Sequence, residues 1–120
     1  MKSSAGSTTT RRVIEVSDAT FASEVLQADV PVLLDLWADW CGPCKQLDPV
    51  IHQLAEEAGG RLKVCRVDVA KSPALASHYH VMSVPTLLFL KNGQVMGQHQ
   101  GLTGEAELRE KLEVHLGMQL

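Results

Sequence analysis

Val30-Pro31-Val32-Leu33-Leu34-Asp35-Leu36-Trp37-Ala38-Asp39-Trp40-Cys41-Gly42-Pro43-Cys44-Lys45 is the stretch that decides how this chain folds. Val30 to Trp37 is almost continuously apolar, the pattern of a strand covered on both faces. Beyond the cysteines, Leu47, Val50, Ile51, Leu54 and Ala58 recur with period 3.6 and predict a long amphipathic helix. Gly59-Gly60 ends it, and Pro49 inside it should kink it by removing a backbone donor. A buried strand passing directly into a helix implies an α/β arrangement.

Working outward, the chain extends that pattern on both sides. Upstream, Val13 to Val16 is a β-branched run, and Ser17 with Asp18 should start a helix. Phe21 with Val25 and Ala22 with Leu26 would give that helix its i, i+4 spacing. Downstream, Leu62 to Val69 reads as a strand, and Ser72-Pro73 opens a short helix toward Tyr79. Thr86 to Leu90 and Val95 to His99 flank Asn92-Gly93, a strong hairpin signal. Leu108, Leu112 and Leu116 then form a helical stripe, with Glu107 and Lys111 spaced for an ion pair. The expected fold class is α/β: a central mixed five-stranded sheet with helices on both faces, parallel in its first half with right-handed crossovers.

The 120 residues leave room for a single domain, expected over residues 13–120. A net charge of -3 argues against nucleic acid as a partner, and no apolar run approaches the length of a membrane span. Met1 to Arg12 is rich in Ser and Thr and basic, without the apolar core of a secretory signal. It resembles a transit peptide only faintly and is read as a disordered N-terminal tail, residues 1–12. A cytoplasmic location is the expectation.

Three cysteines are too few for a disulfide scaffold. Cys41 and Cys44 stand three apart at the strand-to-helix junction, where Cβ atoms lie about 5–6 Å apart, close enough for a disulfide to close without unwinding the helix. Cys41, near the N-cap, is favoured as a thiolate by free N–H groups and the helix dipole. Cys44, one turn inside, should be more shielded, giving an attacking and a resolving thiol. Half of a zinc site is the alternative, but zinc needs two more ligands, and His52, His78, His80, His99 and His115 complete no recognised spacing. Those histidines read as surface or packing residues, and Cys65 as an inert buried thiol. Asp35 inside an apolar strand is ambiguous on its own: a functional carboxylate, one paired with a neighbour, or one facing water.

Trp40-Cys41-Gly42-Pro43-Cys44-Lys45 resembles the complete active-site motif of thioredoxins, and Asp35-Leu36-Trp37-Ala38 resembles the strand before it. Val84-Pro85-Thr86, Lys91-Asn92-Gly93 and Gly101 fall where that family carries its cis-proline loop, hairpin turn and late glycine. The resemblance runs from about Val13 to Leu116 and implies a thioredoxin fold. It also implies a protein-disulfide reductase with Cys41 as nucleophile, Cys44 as resolver and Asp35 as a buried carboxylate taking the proton of Cys44. Trp40, Gly42, Pro43, Val84, Pro85 and Gly101 would bind substrate, Val84 and a cis Pro85 through their backbone. Arg66 stands where many members of the family have lysine, and would tune the carboxylate. No cofactor or metal would be bound; a thioredoxin reductase would supply electrons from NADPH through its flavin. The partners implied are that reductase and disulfide-containing proteins, with the chain itself a monomer. An oxidase or isomerase, and a non-catalytic interaction module, are the rival functions.

Overall fold

In the computed structural model, which describes residues 12–120, the apolar run becomes the central strand β2, Val32–Trp37. With β1 (Ile14–Val16), β3 (Lys63–Asp68), β4 (Thr86–Lys91) and β5 (Gln94–Gln100) it makes one sheet of order β1-β3-β2-β4-β5. β1 and β2 run parallel to β3, whereas β4 is antiparallel to β2 and β5 to β4. The tail expected over residues 1–12 lies, apart from Arg12, outside the described residues.

Successive side chains of a strand face opposite ways, and β2 uses both directions. Leu33 packs into a core with Leu47, Ile51 and Leu54 of helix α2 (Gly42–Ala58) and Leu108, Leu112 and Leu116 of α4 (Glu105–Leu116). Val32, Leu34 and Leu36 join a second core on the other face, with Phe21, Val25, Leu75 and Tyr79. These last four belong to or flank a short π-helical turn labelled α1 (Ala22–Leu26) and α3 (Pro73–His78). Both layers of helices over a mixed five-stranded sheet are therefore as expected from the apolar pattern.

Local chemistry explains where elements begin and end. α2 runs unbroken through Pro49 and stops at Gly59, whose φ of +59° suits glycine. Asn92 and Gly93 both adopt positive φ, as a two-residue turn between β4 and β5 requires. At Gly97 a Cβ would collide with the His115 ring, so glycine there lets α4 approach β5, and His115 packs against Phe89.

Two local expectations are corrected. Ser17 and Asp18 do not start α1: the Thr20 hydroxyl accepts the Ser17 N–H at 3.0 Å, and the resulting turn delays the helix to Ala22. Of its predicted stripe only Phe21 and Val25 turn inward, while Leu26 remains exposed. Glu107 takes a hydrogen bond from the Thr103 hydroxyl at 2.9 Å, which claims it at the helix start; the i, i+4 pair of α4 is Arg109 with Glu105 instead.

Cys65 lies in β3 opposite Leu34 and Ile14, fully buried, and burial pushes its thiol up to about 12. Alkylation of the reduced native protein should therefore label Cys41 and leave Cys65 untouched, read by mass spectrometry of peptides. Cys65→Ala should cost on the order of 1 kcal/mol in chemical denaturation, the scale of a small cavity. Labelling of both thiols at equal rates would contradict this placement.

Candidate active site

The end of β2 sets the position of everything reactive. After Trp37 the chain turns through buried Ala38, whose carbonyl accepts the Cys41 N–H at 3.2 Å. Cys41 is the N-cap of α2 and Pro43 occupies its first turn, where a missing N–H costs nothing. The Cys41 sulfur accepts the Cys44 N–H at 3.1 Å, so the first turn of the helix aims a backbone donor at that atom. Cys41 and Cys44 are joined by a disulfide with Cα atoms 5.3 Å apart. Among the described residues no group of three or more His, Cys, Asp or Glu is arranged to hold a metal.

The expected contrast in exposure between the two sulfurs is absent: each cysteine is 4% exposed. What differs is the direction each faces. The sulfur of Cys41 is 3.6 Å from the Val84 carbonyl, on the side of the surface loop. Cys44 lines a small, partly open cavity of about 110 Å³ with Asp35, Trp37, Lys45, Asp48 and Arg66. The asymmetry is one of neighbours, because both cysteines belong to one buried cluster with Ala38, against which Trp37, Val69 and Val84 pack.

Val84-Pro85 is cis, as the resemblance implies. The loop is tied down by the Thr86 hydroxyl donating to Ser83 O at 2.7 Å and by Gly101 N–H donating to Pro85 O at 2.8 Å. Gly101 has a φ of +92°, the region that favours glycine. Trp40 is 75% exposed, and Gly42 and Pro43 lie at the surface beside it, whereas the Pro85 ring is buried. Trp40 also borders an open groove of about 270 Å³ with Val69, Pro73, Ala76, Val81, Met82, Ser83 and Val84. Met82, 85% exposed, was not among the residues singled out from sequence, since one Met between Val81 and Ser83 carries no periodic signal.

Asp35 is buried in β2 beside Arg66 of β3, its register partner. Its Oδ1 has no hydrogen-bond partner among the described residues. Burial pushes the carboxyl up to about 7, against the pull of Arg66 and with smaller help from Asp48 and Glu15. Asp48 and Glu15 are further residues that sequence reasoning missed. Asp48 stands one helical turn past Cys44, so i, i+4 spacing could have placed it under the disulfide.

A disulfide closing one turn at the head of a helix, against a cis-proline loop and above a protonatable buried carboxyl, defines a thiol–disulfide oxidoreductase. Comparison with known proteins agrees. Residues 12–114 match the thioredoxin family model. The chain is 43% identical over 102 residues to thioredoxin 1 of Nostoc sp. (strain PCC 7120), covering 85% of this chain and 95% of that one. It is 40% identical over 104 residues to the thioredoxin of Haemophilus influenzae, covering 87% and 97%. With the thioredoxin of Mycobacterium tuberculosis the identity is 43% over 99 residues, covering 82% and 85%. The chain belongs to the thioredoxin family, and as such it reduces disulfides in other proteins through its Cys-Gly-Pro-Cys motif.

The raised carboxyl has a stability consequence whose sign follows from linkage. Between the ordinary 3.8 and about 7, the native state keeps a proton on Asp35 that the unfolded chain has released. Stability from this group is thus full below pH 4, falls as pH rises through that window, and is flat above it. At roughly 1.4 kcal/mol per pH unit, the loss reaches up to ~4 kcal/mol by pH 8. Asp35→Asn should therefore stabilise the oxidised protein, relative to the parent, by far more at pH 8 than at pH 4. Denaturation at the two pH values checks this, and an equal change at both would contradict it.

Proposed function

We propose that the chain is a general dithiol electron carrier in which Cys41 attacks, Cys44 resolves and Asp35 moves the proton. The Cys41 thiolate bonds to one sulfur of a target disulfide, and the other target sulfur leaves as a thiolate that takes a proton from solvent. The Cys44 thiol then passes its proton to Asp35. Its sulfur displaces the second target thiolate from Cys41, which closes the Cys41–Cys44 disulfide. Two electrons have moved, and once the second thiolate also takes a proton from solvent the target is a dithiol. The observation that carries this reading is the unpaired buried carboxyl of Asp35 facing the same small cavity as Cys44.

Substrate recognition follows from the loop. The Val84 backbone is available to an extended target segment, as in β-augmentation. Trp40, Gly42, Pro43 and Gly101 give a surface on which it rests, while Pro85 shapes the loop from beneath. Recycling is assigned to a thioredoxin reductase drawing on NADPH and flavin, so the chain holds no cofactor of its own. Residues 13–120 act as one domain, a monomer in the cytoplasm, with residues 1–12 as a tail outside it. The apolar groove and the net charge of -3 fit protein targets.

Division of labour between the cysteines is the test. Cys44→Ser should accumulate mixed disulfides on Cys41 with a disulfide-containing protein such as insulin, because attack survives and resolution does not. Cys41→Ser should accumulate almost none. Non-reducing gels with mass spectrometry read the adducts, and equal trapping by both variants would overturn the assignment.

A further inference from the structure

Arg66 is the only cation in the register position beside Asp35, yet the two form no ion pair among the described residues. Its guanidinium is engaged elsewhere on three sides. Nη1 donates to Asp48 Oδ1 at 2.8 Å, Nε makes an ion pair with Glu15 Oε1 at 2.9 Å without a hydrogen bond, and Cζ sits 3.8 Å over the Trp37 ring centre. Stacking on an aromatic face with a fork of donors directed sideways suits arginine and not lysine. Asp48 holds the end of the guanidinium nearest α2 and lines the cavity shared by Asp35 and Cys44.

We propose that Asp48 is a positioning residue for the resolution step: with Glu15 it holds Arg66 over Trp37 and away from Asp35, leaving that carboxyl free to take the proton of Cys44. The assignment rests on the role given to Asp35 above. Without Asp48, the guanidinium gains freedom to swing across the cavity and pair with Asp35, which would then stay ionised and carry a proton poorly. The charged and titratable groups facing Asp35 are Glu15 from β1, Arg66 from β3, and Cys44, Lys45 and Asp48 from α2; β4 brings only Leu87. On its outer side Asp48 also meets His52, 3.4 Å away.

The measurement is the titration of the Asp35 carboxyl by carbon-13 NMR in the oxidised protein, where cysteine chemistry does not intervene. Asp48→Ala should lower its midpoint by about one pH unit or more, the size of a carboxylate meeting a cation. Asp48→Glu should restore most of the parent midpoint. In an Arg66→Met background, the same Asp48→Ala change should move the midpoint less than half as far, since the cation it restrains is gone. No change on Asp48→Ala, or an equal change in both backgrounds, would overturn the proposal. Should Asp48→Ala fail to fold, Asp48→Ser in both backgrounds gives the same comparison. Single-turnover resolution of a mixed disulfide across pH is the separate readout for Asp35. An unmoved rate profile in Asp35→Asn would remove the proton-transfer role while leaving the titration result standing.

Discussion

The two-sided burial of β2 is the constraint from which the rest of the molecule follows. Leu33 belongs to one core and Val32, Leu34 and Leu36 to the other, so this strand cannot slip by a residue without moving apolar side chains between opposed layers. That locks Asp35 on the α2 side and brings the end of the strand to a fixed point. The three residues Ala38 to Trp40 then carry the chain to the N-cap of α2, and the pair of cysteines inherits its place from both elements. Burying a carboxyl in the same strand is costly. That cost raises the carboxyl to about 7, where it can gain and lose a proton near neutrality as a proton acceptor must.

Electrostatics under the disulfide work by restraint. Arg66 faces three carboxylates, Asp35, Asp48 and Glu15, and its ion pairs go to the two that are partly exposed. Burial raises Glu15 as well, opposed first by Arg66, so this rim carboxylate shares the same guanidinium. A lysine in the place of Arg66 would offer a point charge with no flat face for Trp37 and no second set of donors. Away from this region the charges do structural work. Buried Lys63 pairs with Glu24 at 2.6 Å and ties α1 to the end of β3.

Much of this was legible in the residues. The strands follow from continuous apolar or β-branched runs and the helices from period-3.6 stripes, and Gly59, Asn92 and Gly93 punctuate them where their backbone freedom requires. The disulfide could be expected from a spacing of three at a helix start. What escaped were contacts made between side chains distant in sequence. Thr20 and Thr103 capture neighbours that propensity assigned to other partners, and neither bond has a pattern to announce it. The cluster that buries Cys41 and Cys44 is joined by Val69 and Val84, contributed by other parts of the chain. Asp48 and Glu15 acquire meaning only once β1, β3 and α2 are seen to converge on one guanidinium. Met82 likewise becomes a wall of the groove only through the fold that sets it opposite Trp40.

Cys41 and Cys44 act as a reducing couple, and the decisive measurement is the reduction potential of that pair. Equilibration with graded glutathione buffers, followed by acid quenching and alkylation, counts the oxidised fraction. The expected potential is more negative than about -230 mV, on the reducing side of glutaredoxins. A value above about -180 mV, in the range of disulfide isomerases and stronger oxidants, would contradict it and make the chain a donor of disulfides.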